Sequence, residues 1–141
     1  MQDEPTSVEL LAAAIVFLRS RALPALTGAL QFEARVTANA LDIVLRQLQH
    51  GTTMEEAEAE RLRGLLAMGG DLEALNRELC RRIAEGGVSL ETEGLREHLR
   101  QTALDRTEID QPTYATRVDI LGRGWTPGIS QANSIGKVRG A

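Results

Sequence analysis

The side chains best suited to nucleophilic or metal chemistry in this 141-residue chain are two histidines and one cysteine: His50, His98 and Cys80. A metal needs several such ligands at matched spacing, and a nucleophile needs a base within hydrogen-bond reach. Neither condition is met. His50 precedes Gly51 and reads as a helix-end cation, favoured there by the helix dipole. His98 lies in the charged run "LREHLR" and reads as a surface residue. Cys80, in "LNRELCRRI", adjoins Leu79 and Ile83 and reads as a packed thiol. Arg81 and Arg82 would lower its pKa, but the neighbouring sequence supplies no base. No HExxH, CxxC, GxSxG or P-loop spacing occurs. The fragments "LGRG" and "GKVRG" lack the preceding strand that a phosphate cradle uses. The carboxylates of "EEAEAE" read as the wet face of a helix. No catalytic residue, metal site or cofactor is assigned.

Two polar constellations carry more information. In "QFEARVTANALDIVLRQ", at about 100° per residue, Gln31, Arg35, Asn39, Asp42 and Arg46 fall in one narrow helical stripe. Phe32, Val36 and Ile43 flank it on one side, and Ala34, Ala38, Leu41, Leu45 and Leu48 on the other. A helix with apolar flanks on both sides of a polar strip packs between neighbours. The strip then has three readings. It is a solvated edge with an Asp42–Arg46 pair worth about 0.3–0.5 kcal/mol, a buried network linking helices, or a ligand or partner site. The second constellation is "LDRTEIDQPTY", with Asp105, Asp110 and Tyr114. Asp110 before Gln111-Pro112 suits a side-chain-to-backbone turn, and Tyr114 suits a hydroxyl-tipped apolar plug.

Helices must position these groups. Thr6 and Glu9 form a capping-box pattern ahead of an amphipathic helix over about 7–22, which Pro24 ends or kinks. A second helix spans about 28–49, between Thr27 as cap and Gly51 as left-handed stop. A third opens at Thr52-Thr53 and closes at Gly69-Gly70. A fourth runs from Asp71 to Gly86-Gly87. A fifth runs from about Leu90 to Glu108, with Leu95, Leu99, Ala103 and Leu104 inward and Gly94 weakening its first turns. Aromatics are only 3% of residues, so the core is Leu, Ala, Val and Ile, which suits helix packing better than a sandwich. The expectation is an all-α, single-domain bundle of about five helices over 1–115, with a Gly-rich basic tail over 116–141.

Charge bounds the partners. The net of −4 disfavours nucleic acid. It is uneven: residues 1–111 hold 12 basic and 19 acidic side chains, whereas Arg117, Arg123, Lys137 and Arg139 face only Asp119 beyond them. That tail reads either as a solvated, extended or disordered terminus or as a partner-binding arm with Trp125 as its anchor. The run "LLAAAIVFL" is too short to span a membrane, and no leader precedes it, so a cytoplasmic protein is expected.

Three segments, "FEARVTANAL", "DLEALNRELCRRI" and "LDRTEIDQPTY", together with "PTSVELLAAAIVFLRSRALPAL", resemble a small bacterial family of unknown-function domains. Its genes typically neighbour aminoglycoside-phosphotransferase-like kinases and acyl-CoA dehydrogenases. The resemblance covers roughly residues 1–115. The family more usually reads Asp-Lys and Ile-Asp-Asn-Pro in the last segment, where Arg106 and Gln111 stand here. The resemblance implies a non-catalytic accessory subunit of a kinase that phosphorylates hydroxyacyl-CoA in acid catabolism, of the levulinate type, with an acyl-CoA ligand at a shared site. It carries over no catalytic residue. The candidates for an interface or polar network are Arg35, Asn39, Asp42, Asn76, Asp110, Tyr114 and Trp125. The rival readings are a self-associating scaffold, which would be a homo-oligomer, and a free enzyme of the same pathway with a pocket lined by Arg35, Asp42, Asp105 or His98.

Overall fold

The computed structural model describes residues 4–114. The expectations for the basic tail and for Trp125 lie outside the described residues. The elements are α1 (Ser7–Phe17), a π-helical turn (Leu18–Ala22), the short α2 (Leu23–Ala25), α3 (Gly28–Leu66), α4 (Leu72–Ala84) and α5 (Leu95–Asp110). Among the described residues all regular structure is helical, as the sequence leads one to expect.

The Thr6 capping box forms as read. Glu9 N donates to Thr6 Oγ1 at 3.2 Å and Thr6 N donates to Glu9 Oε2 at 2.8 Å. The far end departs from a simple stop. Pro24 has no N–H to offer Ser20, and its ring crowds that carbonyl. The ladder widens ahead of it, with Leu23 N donating to the Leu18 carbonyl five residues back. The helix expected over 7–22 is therefore α1 plus a π turn.

The largest correction concerns Gly51. Instead of ending one helix and separating it from the next, it sits buried inside a single 39-residue helix, α3, with no left-handed backbone. Thr52 and Thr53 are helix interior, and His50 is an exposed mid-helix residue, not a helix-end cation. A glycine inside a helix costs about 1 kcal/mol relative to alanine. Packing of the following turns, through Ala59, Leu62 and Leu66, outweighs that cost.

α3 is a two-sided spine. Its first half buries Ala38 completely, on the side where α1 packs. Its second half buries Leu62 and Leu66 against α4 and α5. The two faces differ by about 100° around the helix axis. The main core is Leu62, Leu66, Leu75, Leu79, Val88 and Leu95 around Ala59. α4 starts as expected, with Asp71 Oδ1 accepting from Ala74 N at 2.8 Å. α3 ends at Ala67 in the left-handed region, φ 51°. Arg82 Nη1 donates to the freed Leu66 carbonyl at 3.1 Å, while its Nε donates to Glu78 Oε1 at 2.7 Å. Hydrogen bonds from Arg81 and Arg82 hold the Glu78 carboxyl down at about 2.

Four inward assignments, Cys80, Ile83, Leu99 and Ala103, are corrected. Cys80 is exposed, because α4 turns Leu72, Leu75 and Leu79 toward α3 and Cys80 lies about 100° beyond Leu79. Ile83 is likewise exposed. α5 starts at Leu95, not Leu90. Ser89 and Thr92 bond the loop backbone, with Ser89 N donating to Thr92 Oγ1 at 3.0 Å, and Gly94 takes a left-handed φ of 85° that a helix interior excludes. On α5, His98 takes the inward stripe shared by Leu95 and Ile109, which leaves Leu99 and Ala103 exposed.

A methyl group at Gly51 would meet only the flexible end of the Gln47 side chain. Gly51→Ala should therefore stabilise the fold by about 0.5–1 kcal/mol. A left-handed stop would lose stability instead, and urea unfolding followed by circular dichroism reads the sign.

Candidate functional site: a groove where three elements meet

The polar stripe of α3 points into an open groove of about 710 Å³. Arg19 from the π turn forms one wall, Asn39, Asp42 and Arg46 from α3 the floor, and Asp110 to Tyr114 after α5 the other wall. The π turn aims Arg19 at α3. Its Nη2 donates to Asn39 Oδ1 at 3.0 Å and pairs with the Asp42 carboxylate. Both partners are partly solvated, so this pair contributes at most about 1 kcal/mol. Arg46 Nε donates to the Ile109 carbonyl at 2.6 Å and Nη2 to the Asp110 carbonyl at 3.5 Å. A helix leaves its last carbonyls without partners and its C-terminus partly negative, so a cation there is favourable twice over. Gln31 Nε2 similarly reaches the Leu23 carbonyl at 3.2 Å.

The stripe is thus neither a solvated edge nor a fully buried network. The Asp42–Arg46 pair does not form, since Asp42 turns to Arg19 and Arg46 to α5. The turn after α5 closes through Tyr114 N to the Gln111 carbonyl at 2.9 Å, and the Asp110 side chain stays exposed instead of closing it. Tyr114 stands half-exposed on the rim instead of plugging an apolar hole. Asn39, Asp42, Asp110 and Tyr114 are thereby brought together. Arg35 is exposed and lies outside the groove lining.

Asn76 belongs to a second cluster, between α3, α4 and α5. Its Nδ2 donates to Glu58 Oε1 at 3.0 Å. Glu58 is buried, so "EEAEAE" is not uniformly a wet face. Nearby, Arg61 Nη2 pairs with Asp105 Oδ2 at 3.2 Å, and Gln101 Nε2 donates to Asp105 Oδ1 at 2.8 Å. His98 is only 4% exposed, not a surface residue, and its Nδ1 has no hydrogen-bond partner. Burial first, and then the Arg61 charge, push its pKa below the usual histidine value. Residues suggested for a free enzyme's pocket are therefore dispersed: Asp42 lines the groove, Asp105 a cavity beside Gly51, and His98 a third hollow with Arg61.

Sequence reasoning missed Arg19 and Arg61. The one signal for Arg19 was a cation interrupting the apolar run "IVFLRSRALP" just before a helix-breaking proline. Arg61 gave none, because its partner Asp105 is distant in sequence.

Residues 24–114 match a family model described as a domain of unknown function, DUF6285. The match begins at Pro24, after α1 and the π turn, so Arg19 lies outside it. No curated protein and no solved structure matches the chain.

Replacing Arg46 by Met should free the last carbonyls of α5, cost about 1–2 kcal/mol, and speed amide exchange in the 107–114 segment before exchange elsewhere rises. The buried His98 gives a pH signature. Its folded pKa lies below the unfolded value of about 6.5, so unfolding takes up a proton below that pH. Stability should be fully present above about 6.5 and fall as pH drops through that value toward the folded pKa. His98→Gln should flatten that slope in denaturation curves taken from pH 7.5 to about 5.

Proposed function

The chain belongs to the DUF6285 family, and we propose on that premise that it is a non-catalytic accessory subunit of an aminoglycoside-phosphotransferase-like kinase acting on hydroxyacyl-CoA in acid catabolism. One observation carries the reading: the groove is an open surface with an apolar shoulder. Phe32, Val36 and Ile43 stand exposed along α3 beside Asn39 and Asp42. Small-molecule pockets enclose most of their ligand, whereas protein interfaces combine an apolar patch with a polar rim. A protein partner suits this shape better than an enclosed substrate.

The sequence resemblance supplies the partner's class. A kinase of that type brings its own nucleotide site, metal ligands and catalytic aspartate. The accessory chain then contributes by binding one kinase conformation more tightly than the others, which raises the population of that conformation. Asn39, Tyr114 and the exposed Arg35 would meet the kinase surface, with the acyl-CoA held at a shared site. Arg19 and Arg46 act as positioning residues that hold the groove walls.

Co-expression of the tagged chain with the kinase encoded in the same genome should give a stable complex. ATP-dependent phosphorylation of hydroxyacyl-CoA should rise when the chain is present. Asn39→Ala and Tyr114→Ala should each weaken the complex about tenfold, equivalent to about 1.4 kcal/mol, while leaving the helical spectrum unchanged. A kinase that is fully active alone and binds nothing would refute the reading.

A further inference from the structure

α1 and the first half of α3 form a two-helix layer, and only one of its broad faces is accounted for. Arg19 and Asp42 fix which edge of each helix looks onto the groove. With 100° per residue counted from those positions, the opposite face carries Leu10, Ala14 and Phe17 from α1. From α3 it carries Leu30, Leu41, Val44 and Leu48. Leu10, Phe17, Leu30, Val44 and Leu48 are between 48% and 62% exposed. No element among the described residues covers them: α4 and α5 pack on the second half of α3.

We propose that this face is a homodimer interface, on which the same face of a second copy of the chain completes a four-helix bundle. Three observations favour a second copy. The first is area. At these exposures the face offers roughly 500–600 Å² of apolar surface, at the upper end of what a monomer leaves uncovered. Two copies with their polar rims reach roughly the 1,200 Å² at which stable interfaces begin. The second is shape. A two-helix layer apolar on one face is half of a bundle, and a two-fold axis along the layer sets α1 of each copy on α3 of the other. The third is charge. Arg21, at the rim on the π turn, and Glu33, at the rim on α3, are exposed and form no ion pair among the described residues. Both lie near the α2 end of the layer. The same two-fold axis sets each Arg21 beside the second copy's Glu33, so the rim is complementary to itself. The groove remains open on the far side, so dimerisation and kinase docking use different surfaces.

The test uses the full chain alone, so its result is independent of any kinase. Sedimentation velocity from about 1 to about 100 µM should show a reversible monomer–dimer equilibrium with a dissociation constant in the micromolar range. Val44→Glu and Leu48→Glu should each weaken it about 30-fold or more, because a carboxylate would be buried without a partner. Leu90→Glu, at a comparably exposed leucine in the α4–α5 connection, should leave it unchanged. Arg21→Glu and Glu33→Arg should each weaken it several-fold, and the double exchange should restore it. Circular dichroism checks that each variant is folded. A monomer throughout this range overturns the proposal. So does a dimer indifferent to Val44→Glu and Leu48→Glu. In a monomer the face is left to residues 115–141 or to the kinase, and loss of kinase binding in Val44→Glu would identify the latter.

Discussion

Everything else in this fold hangs on the continuity of α3. A helix of 39 residues is about 58 Å long, and its stability comes mostly from tertiary packing of its apolar faces and less from its own hydrogen bonds. It persists because its two halves bury different faces: Ala38 under α1, and Leu62 with Leu66 under α4 and α5. Each half thereby anchors the other through the unbroken backbone ladder at Gly51. The interactions that close the structure are then attachments to this rod. Arg82 caps its Leu66 carbonyl from α4, Arg61 ties it to α5 through Asp105, and Arg46 ties it to the α5 terminus.

The same rod explains why polar residues that look superficial matter. Arg19, Asn39, Asp42 and Arg46 form few and partly solvated bonds, each of modest worth. Their role is geometric. They set the angle between the α1 layer, the spine and the end of α5, and the groove is the space left between those three. In that division of labour apolar burial supplies stability and charged contacts supply orientation, and the groove is left as an open surface of fixed shape.

Much of the local structure was legible in the sequence. The Thr6 box, the Asp71 cap, the Gly86-Gly87 stop and the polar stripe follow from side-chain chemistry acting over four residues or fewer. The failures share one cause: packing by elements distant in the chain. Gly51 looks like a stop because its propensity is poor, and only the burial of Leu62 and Leu66 keeps it helical. His98 looks like a surface residue among charges until α5 is rotated against α3 and puts it inside. Asp42 and Arg46 are spaced to pair with each other, but each finds a better partner: Arg19 lies 23 residues away, and the Ile109 carbonyl 63 residues away. Cys80 looks packed because Leu79 is, yet one residue is about a quarter turn.

The π turn at Leu18–Ala22 has a consequence for how this part of the chain can vary. A π turn is an α-helix that has absorbed one extra residue, so it acts as a phase adapter between two surfaces. Before it, Ile15 must face α3; within it, Arg19 must reach Asp42; after it, Pro24 starts the reversal into α3. Removal of a single residue between 18 and 22 would let the segment relax to regular α-geometry with α1 still facing α3, because the wide turn is what takes up that residue. A further inserted residue, with no second wide turn to take it up, would rotate α1 by about 100°. The facing of the first helix therefore tolerates a deletion in this segment better than an insertion.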